Sequence, residues 1–171
     1  MTIGEELVLR RHYKFGPDEG LWPEGTAAAG NPMQLLVGWR QSQGGFSMIK
    51  ASQKDPIDKH VHTYEDEAVY VLGGSATVYM GEEGEQVYEL AAGDFLYQPR
   101  GVPHAWTVHE TVSFINIQTP GGVMDNLLDE LLGKIRSGEP VSEKEFGVMY
   151  TNYGIRLLGK DDKWIPRENF E

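Results

Sequence analysis

The stretch HVHTYEDEAVYVLGG, residues 60–74, combines a metal-ligand pattern with the beginning of a β-strand. Side chains alternate in direction along an extended strand, so His60 and His62 point to the same face. Glu67 follows a short turn and shares its face with the valines of the next apolar run. A carboxylate on an inward apolar face is costly without a partner. The stretch therefore predicts two converging imidazoles and an inward carboxylate that needs a cation or a hydrogen-bond network as its partner.

A second stretch, GDFLYQPRGVPHAW at residues 93–106, supplies another histidine. His104 follows a turn rich in proline and glycine, at the start of a strand, where it can face inward with Trp106. Three imidazoles and one carboxylate suit a divalent transition metal ion such as Fe, Mn, Co, Ni, Cu or Zn, and make Mg and Ca poor candidates. Four protein ligands leave a free position for catalysis if the ion is five- or six-coordinate.

Composition limits the other classes of function. The chain has 171 residues, enough for one well-packed domain. Its 15 basic and 26 acidic residues give a formal charge of −11, which argues against nucleic acid or an anionic membrane as a partner and favours small molecules or proteins. Cysteine is absent, so the sequence excludes disulfides, thiolate zinc clusters and cysteine nucleophiles. No signal peptide or membrane-spanning run is evident, and we expect a soluble cytoplasmic protein.

The order of residue patterns predicts one domain in three parts. Residues 1–33 form an irregular arm, because the segment from residue 16 to residue 33 has four glycines and three prolines. Residues 34–118 contain short β-rich runs bounded by turn residues, the signature of an antiparallel sandwich or barrel. The runs SATVYM and QVYEL flank a polar, glycine-containing turn and predict a hairpin. Residues 119–171 form a C-terminal helical extension packed on the barrel.

Two helices are predicted within that extension. From Met124 to Ile135 the apolar residues recur with helical spacing, and Gly138 would end the helix. Ser142 and Glu145 form the pattern of a capping box at the start of a second helix. Both helices are expected to pack on the sheet.

The spacing H-x-H-x4-E-x6-G over residues 60–74 and G-x5-P-x-G-x2-H over residues 93–104 resembles the paired motifs of the cupins. The resemblance implies an all-β fold, the double-stranded β-helix or jelly-roll barrel, with the helical extension added. It also implies that His60, His62, Glu67 and His104 are the metal ligands. One position departs from the family pattern, because Val108 replaces the asparagine that usually follows the last histidine.

Within the cupins, the sequence is similar to the single-domain quercetin 2,3-dioxygenase-like group over roughly residues 34–159. That resemblance implies a metal-dependent dioxygenase that binds an enol or phenol oxygen, with Glu67 as both ligand and catalytic base and dioxygen as co-substrate. Cupin barrels commonly pair edge to edge, so a homodimer is expected. Four residues have the parity or position to line a substrate pocket: Phe46, Met48, Trp106 and Phe114.

Two other classes of function fit the same ligands. A non-redox cyclase or isomerase would use the metal as a Lewis acid on the same enolate. A non-catalytic cupin would bind a ligand without converting it. Oxygen uptake separates the first interpretation from these two, and turnover without oxygen favours the cyclase or isomerase.

Overall fold

The computed structural model describes residues 12–23, 25–28 and 30–158. The predictions for residues 1–11 and 159–171 lie outside this part of the chain. The described residues form the following elements in chain order: β1 (Ala27–Ala28), β2 (Asn31–Val37), α1 (Trp39–Ser42), β3 (Ser47–Gln53), β4 (Ile57–His62), β5 (Asp66–Met80), β6 (Gln86–Ala91), β7 (Phe95–Gln98), β8 (His104–Thr119), α2 (Met124–Ser137), α3 (Glu143–Asn152) and β9 (Ile155–Leu157).

The fold is organised around β5 and β8, which pair antiparallel from Asp66–Thr119 to Met80–His104. The first half of β5 carries β7 on its other edge, and the second half carries β6. The second half of β8 pairs with β3, and its first half pairs with β4. The two long strands thus run through both halves of the sheet, and the result is the double-stranded β-helix with a helical extension that the sequence predicts.

Gly74 lies where the pairing of β5 with β8 shifts register. Its φ is +76°, a conformation that residues with a Cβ rarely adopt. A Cβ at this position would also overlap the backbone of Thr111 on β8. Glycine therefore permits the close approach of the two long strands at the point where the ladder is irregular.

The alternation in β5 separates core from surface as predicted. Val69 and Val71 are buried, whereas Tyr70 between them is exposed. The hairpin of β5 and β6 also forms as expected, with Ser75 opposite Ala91. Because Glu67 has the parity of the buried valines, its side chain enters the barrel.

Both predicted helices are present. α2 ends at Gly138, which adopts the left-handed conformation, and its buried leucines pack into the core. At the start of α3 the hydroxyl of Ser142 accepts a hydrogen bond from the Glu145 backbone, and the Glu145 carboxylate accepts one from the Ser142 backbone. None of the helices in the described ranges is long and apolar enough to cross a membrane.

Three local features differ from the sequence-based expectation. β1 and the start of β2 lie inside the segment for which the glycines and prolines predicted an irregular loop. Separate predicted runs join into the single strands β5 and β8. The helical extension returns to the sheet as β9, where Ile155 lies opposite His62 and Leu157 lies opposite His60. This strand covers the outer edge of β4 and thereby supports the segment that carries two of the predicted ligands.

Candidate metal centre

The four predicted ligands come together from three strands. His60 and His62 lie on β4, Glu67 lies on β5 and His104 opens β8. The register of the sheet places His60 directly opposite His104. One donor atom from each of the four residues lies within 4.8 Å of the other three, and all four side chains are buried. The cluster is therefore compatible with a single metal ion.

The distances within the cluster fit one ion. Glu67 Oε2 lies 3.2 Å from His62 Nε2 and 3.2 Å from His104 Nε2. Two ligands that each bind an ion at about 2.1 Å are separated by about 3.0 Å at an octahedral right angle and about 3.4 Å at the tetrahedral angle. Both observed separations lie between these values, so Glu67, His62 and His104 need little movement to share an ion.

The hydrogen bonds of the three imidazoles leave Nε2 as the metal-facing atom. Each Nδ1 has an oxygen within hydrogen-bond range: the Asp58 carbonyl for His60, the Glu65 carboxylate for His62 and the Val102 carbonyl for His104. When Nδ1–H donates to these oxygens, the neutral ring keeps its lone pair on Nε2. The Nε2 atoms of His62 and His104 are buried without a hydrogen-bond partner in the described chain, as expected for ligands of an ion.

The two oxygens of Glu67 have different surroundings. Oε1 accepts a hydrogen bond of 2.9 Å from Asn116 Nδ2. Oε2 faces the imidazoles of His62 and His104. Asn116 therefore fixes the rotation of the carboxylate, with one oxygen directed at the ligand cluster and the other held away from it.

Electrostatics favour the protonation state that a metal requires at Glu67 and His60, whereas at His62 they favour a proton that a metal ion would displace. Burial alone would raise the pKa of Glu67, but the neighbouring imidazoles, above all His62, hold it well below the usual range for a carboxyl group. Burial and the adjacent imidazoles of His104 and His62 lower the pKa of His60 to about 3. Burial opposes protonation of His62 as well, yet Glu67 and Glu65 outweigh it and raise the pKa of that imidazole. An ionised carboxylate thus lies against nitrogen donors.

Glu65 is a buried residue beside the cluster that the sequence analysis did not single out. Its side chain is 0% exposed, and Oε1 lies 2.9 Å from His62 Nδ1. Its other oxygen accepts a longer hydrogen bond, 3.4 Å, from the backbone of Met124 at the start of α2. A carboxylate behind a metal-binding histidine orients the ring and increases its basicity. Glu65 therefore connects a predicted ligand to the helical extension.

A cavity of about 470 Å³ opens beside the cluster. The ligands that face it are His60, Glu67 and His104. The apolar part of its wall comes from the barrel and from both C-terminal helices: Met33, Ile49, Trp106, Phe114, Leu128 and Phe146. The rings of Trp106 and Phe114 are 5.6 Å apart. A volume and lining of this kind suit a small molecule with an apolar body.

Of the four residues predicted to line a pocket, Trp106 and Phe114 do so and two do not. Phe46 precedes β3 and is 36% exposed, and Met48 is half-buried and does not contact the cavity. The predicted parity of this strand is wrong, because β3 directs Ile49 inward. Lys50 shares the face of Met48, and its charge is the signal in the sequence that this face points outward.

The remaining histidines lie away from the cluster. His12 is exposed. His109 lies within β8, where Nε2 is 2.6 Å from the hydroxyl of Thr77. Neither residue belongs to the group that could hold an ion.

Tyr150 on α3 is a further residue that lines the cavity. Burial, together with the negative charge of Glu67, raises the pKa of its phenol to about 12. The hydroxyl therefore stays protonated near neutral pH and can donate a hydrogen bond. Helical spacing alone could not reveal this role, because it does not show which barrel residues the helix faces.

Comparison with known proteins supports the fold. Residues 47–117 match the Cupin_2 family, described as a cupin domain, and this range includes all four ligands. The structure of KdgF from Halomonas sp. superimposes with a TM-score of 0.50 at 16% identity, covering 60% of this chain and 89% of that one. At this identity the likeness concerns the fold.

Two further solved structures are similar at lower scores. Ectoine synthase from P. lautus has a TM-score of 0.49 at 14% identity and covers 75% of this chain and 76% of its own. An uncharacterised conserved protein with a double-stranded β-helix domain from Klebsiella pneumoniae has a TM-score of 0.48 at 20% identity, covering 66% of this chain and 93% of its own. No curated protein matches the sequence.

Proposed function

We propose that this protein, whose domain match and fold support the cupin superfamily, is a metal-dependent dioxygenase for an aromatic or enolic small molecule. The observation that carries the proposal is a buried cluster of three imidazoles and a carboxylate, of which His60, His104 and Glu67 line an apolar, aromatic-lined cavity. An apolar substrate body can occupy the cavity while its hydroxyl reaches the cluster. The similarity to quercetin 2,3-dioxygenase-like sequences supports the same reaction class.

His60, His62, Glu67 and His104 would hold the ion. Once bound, a divalent transition metal supplies Lewis acidity, which lowers the pKa of a coordinated hydroxyl, and an open coordination position. The chain then has to accept the proton, orient the substrate and exclude water.

Glu67 is the proposed proton acceptor. Its carboxylate lies at the wall of the cavity. The hydrogen bond from Asn116 limits its rotation. A positioned carboxylate within reach of an enol or phenol can accept the proton as the electron-rich anion forms.

The helical extension closes the apolar end of the cavity. Leu128 and Leu131 from α2 and Phe146 from α3 line it, and the ring of Phe146 lies 4.4 Å from that of Tyr150. These apolar groups exclude water from the substrate body. The protonated phenol of Tyr150 provides a hydrogen-bond donor in the cavity that Glu67 also lines.

Oxygen uptake by metal-loaded protein tests the proposal. The protein is stripped with chelator, reconstituted separately with Fe, Mn, Co, Ni and Cu, and assayed with flavonols and catechols in an oxygen electrode. We expect uptake with at least one pair of metal and substrate. The Glu67→Gln variant should then lose about a hundredfold or more of the turnover, whereas Glu83→Gln at the exposed hairpin tip should behave like the parent protein.

Absence of oxygen uptake by fully loaded protein would reject the dioxygenase. Product formed under strict anaerobiosis would assign the same site to a cyclase or isomerase. Unchanged turnover in a metal-retaining Glu67→Gln variant would reject the proposed base.

A homodimer and a cytoplasmic location remain predictions from the sequence. Light scattering coupled to size-exclusion chromatography tests the first, and a single monomer mass across the micromolar range would reject it.

A further inference from the structure

The turn between two of the predicted ligands contacts the helical extension through each of its three residues. Thr63, Tyr64 and Glu65 link His62, the last residue of β4, to the start of β5, which carries Glu67. The turn therefore lies between two ligands along the chain. A displacement of the turn would shift His62 or Glu67 relative to the other ligands.

Two of these contacts reach the far end of the extension, between α3 and β9. The backbone N–H of Thr63 donates to the Gly154 carbonyl over 2.9 Å. Gly154 has a φ of +75°, and a Cβ at this position would overlap the ring of Tyr64, so the ring packs directly against the glycine. Tyr64 is nevertheless 56% exposed. One side of its ring thus holds the turn against the extension while the other side faces solvent.

The third contact reaches the beginning of the extension. Glu65 Oε2 accepts a hydrogen bond of 3.4 Å from the backbone N–H of Met124, the first residue of α2. The other oxygen of the same carboxylate lies 2.9 Å from His62 Nδ1. The loop between the two helices, residues 138–140, is exposed. The turn therefore holds the α2–α3 pair at both of its ends.

The extension that the turn holds is also a wall of the cavity. Met124, Leu128 and Leu131 from α2 line it, together with Phe146 and Tyr150 from α3. Movement of either end of the α2–α3 pair away from the barrel would break a contact of the turn. Because the same turn positions two of the ligands, the closed wall and the ion-binding arrangement stabilise each other.

We propose that the turn of residues 63–65 couples the metal centre to the helical wall of the cavity, with Tyr64 as the positioning residue. Metal binding then favours the closed wall, and the closed wall strengthens metal binding. The two effects are equal in magnitude, because a coupling free energy between two sites is reciprocal. The proposal rests on the metal centre and goes beyond the proposed reaction. It predicts that α3 opens more readily in the metal-free protein than in the loaded protein.

Hydrogen exchange of the full-length protein, metal-free and loaded with zinc, tests the coupling without substrate or oxygen. Mass spectrometry of peptides follows the backbone amides of α3, which should exchange about tenfold more slowly in the loaded protein, within the usual range for coupled sites. The amides of β6, which pairs with the second half of β5, report general stabilisation. They should slow by less than about twofold, because separate elements open locally and independently.

Substitutions of Tyr64 test its role as the positioning residue. Tyr64→Ala removes the ring, so it should raise the Kd for zinc about fivefold and reduce the slowing of α3 by the same factor. Tyr64→Phe should restore both values, because ring carbons make the contact with Gly154. Tyr70→Ala removes a tyrosine of similar exposure from the outer face of β5 and is the matched control. Competition with a chromophoric chelator measures each Kd.

Gly154→Ala disturbs the same contact from the other side, because its Cβ would displace the ring of Tyr64. This variant should also weaken zinc binding. The overlap is absent when both residues are alanine. The double variant should therefore bind zinc within about twofold of Tyr64→Ala alone, whereas independent effects would multiply.

Equal slowing of α3 and β6 on zinc binding, or no slowing of either, would overturn the proposal. So would an unchanged zinc affinity in Tyr64→Ala, or a loss of affinity that Tyr64→Phe does not restore. Absence of zinc binding by the parent protein would overturn the coupling together with the metal centre. Since the test uses only zinc, a failure to consume oxygen in the functional assay leaves it intact.

Discussion

Replacing Glu65 with glutamine should weaken metal binding about tenfold while the fold is retained. In the structure the carboxylate is fully buried and lies 2.9 Å from His62 Nδ1, on the side of the ring opposite to the metal-facing nitrogen. Glutamine has nearly the same shape, and its carbonyl oxygen can still accept from Nδ1–H. It removes the negative charge behind the ligand and the oxygen that accepts the longer hydrogen bond from the Met124 backbone.

The size of the effect follows from the hydrogen bond that changes. A bond to a charged acceptor contributes about 1.5–3 kcal/mol and a neutral one about 0.5–1.5 kcal/mol. The difference, about 1–1.5 kcal/mol, corresponds to roughly a tenfold rise in the Kd for the ion. Glu65→Leu removes the acceptor altogether and leaves His62 free to change tautomer, so binding should fall about a hundredfold.

Competition with a chromophoric chelator measures the zinc affinity of the parent protein, Glu65→Gln, Glu65→Leu and the surface control Glu83→Gln. The visible spectrum of cobalt-loaded protein reports whether the ligand geometry also changes. Urea unfolding of the metal-free proteins separates lost affinity from lost stability. If both Glu65 variants bound zinc as tightly as the parent protein, the assignment of Glu65 as a positioning residue would be refuted.

Three further outcomes are expected. Gly74→Ala should lower the free energy of unfolding, measured in urea, by about 2–4 kcal/mol, because the residue has a positive φ and a Cβ would overlap Thr111. A decrease below about 0.5 kcal/mol, as for an ordinary surface substitution, would contradict this explanation. The hydrogen bonds from Arg100 lower the pKa of Asp66 below its usual 3.8, so their contribution to stability is present above pH 3.8 and is lost as the pH falls from there through the lower pKa of the folded state. Asp66→Asn should therefore show a flatter fall in unfolding free energy between pH 5 and pH 2, roughly the range in which paired carboxylates titrate, and identical slopes would count against the pair. Zinc at about a hundred times its Kd should raise the free energy of unfolding by about 2.7 kcal/mol, and an equal rise in His62→Ala would place the ion elsewhere.

The ligand set was predictable because it depends on two local rules. Alternation along a strand places His60 and His62 on one face, and the same rule places Glu67 with buried valines. The spacing of the two motifs then joins His104 to them. The structure brings all four together without any change to this set.

The residues that support the ligands were harder to predict. Glu65 lies in a turn, where no fixed period tells which way a side chain points. Gln98 and Gln118 are neighbours of Glu67 only through the register of three strands that are distant in sequence. The residue type did not indicate that these two glutamines are buried, because a glutamine in a strand is ordinarily a surface residue.

The alternation of side chains also gives a wrong prediction when the apolar residues of a strand do not show which of its two faces is buried. In GFSMIKA both the even and the odd positions include apolar residues, and the large side chains of Phe46 and Met48 favoured the wrong face. The pairing of β3 with β8, in which Ile49 lies opposite Asn116, fixes the correct one. β9 was missed because three residues after a helix are too short for a periodic signal.

Metal stoichiometry is the most direct test of the account. Purified protein is stripped with a chelator, reconstituted with each divalent transition metal, desalted and analysed by elemental mass spectrometry beside His62→Ala. The structure predicts about one equivalent of ion per chain in the parent protein and less than about a tenth of that in the variant, because one of four converging ligands is lost. No metal retained by the parent protein, or equal retention by the variant, would contradict the assignment of His60, His62, Glu67 and His104 as a metal centre.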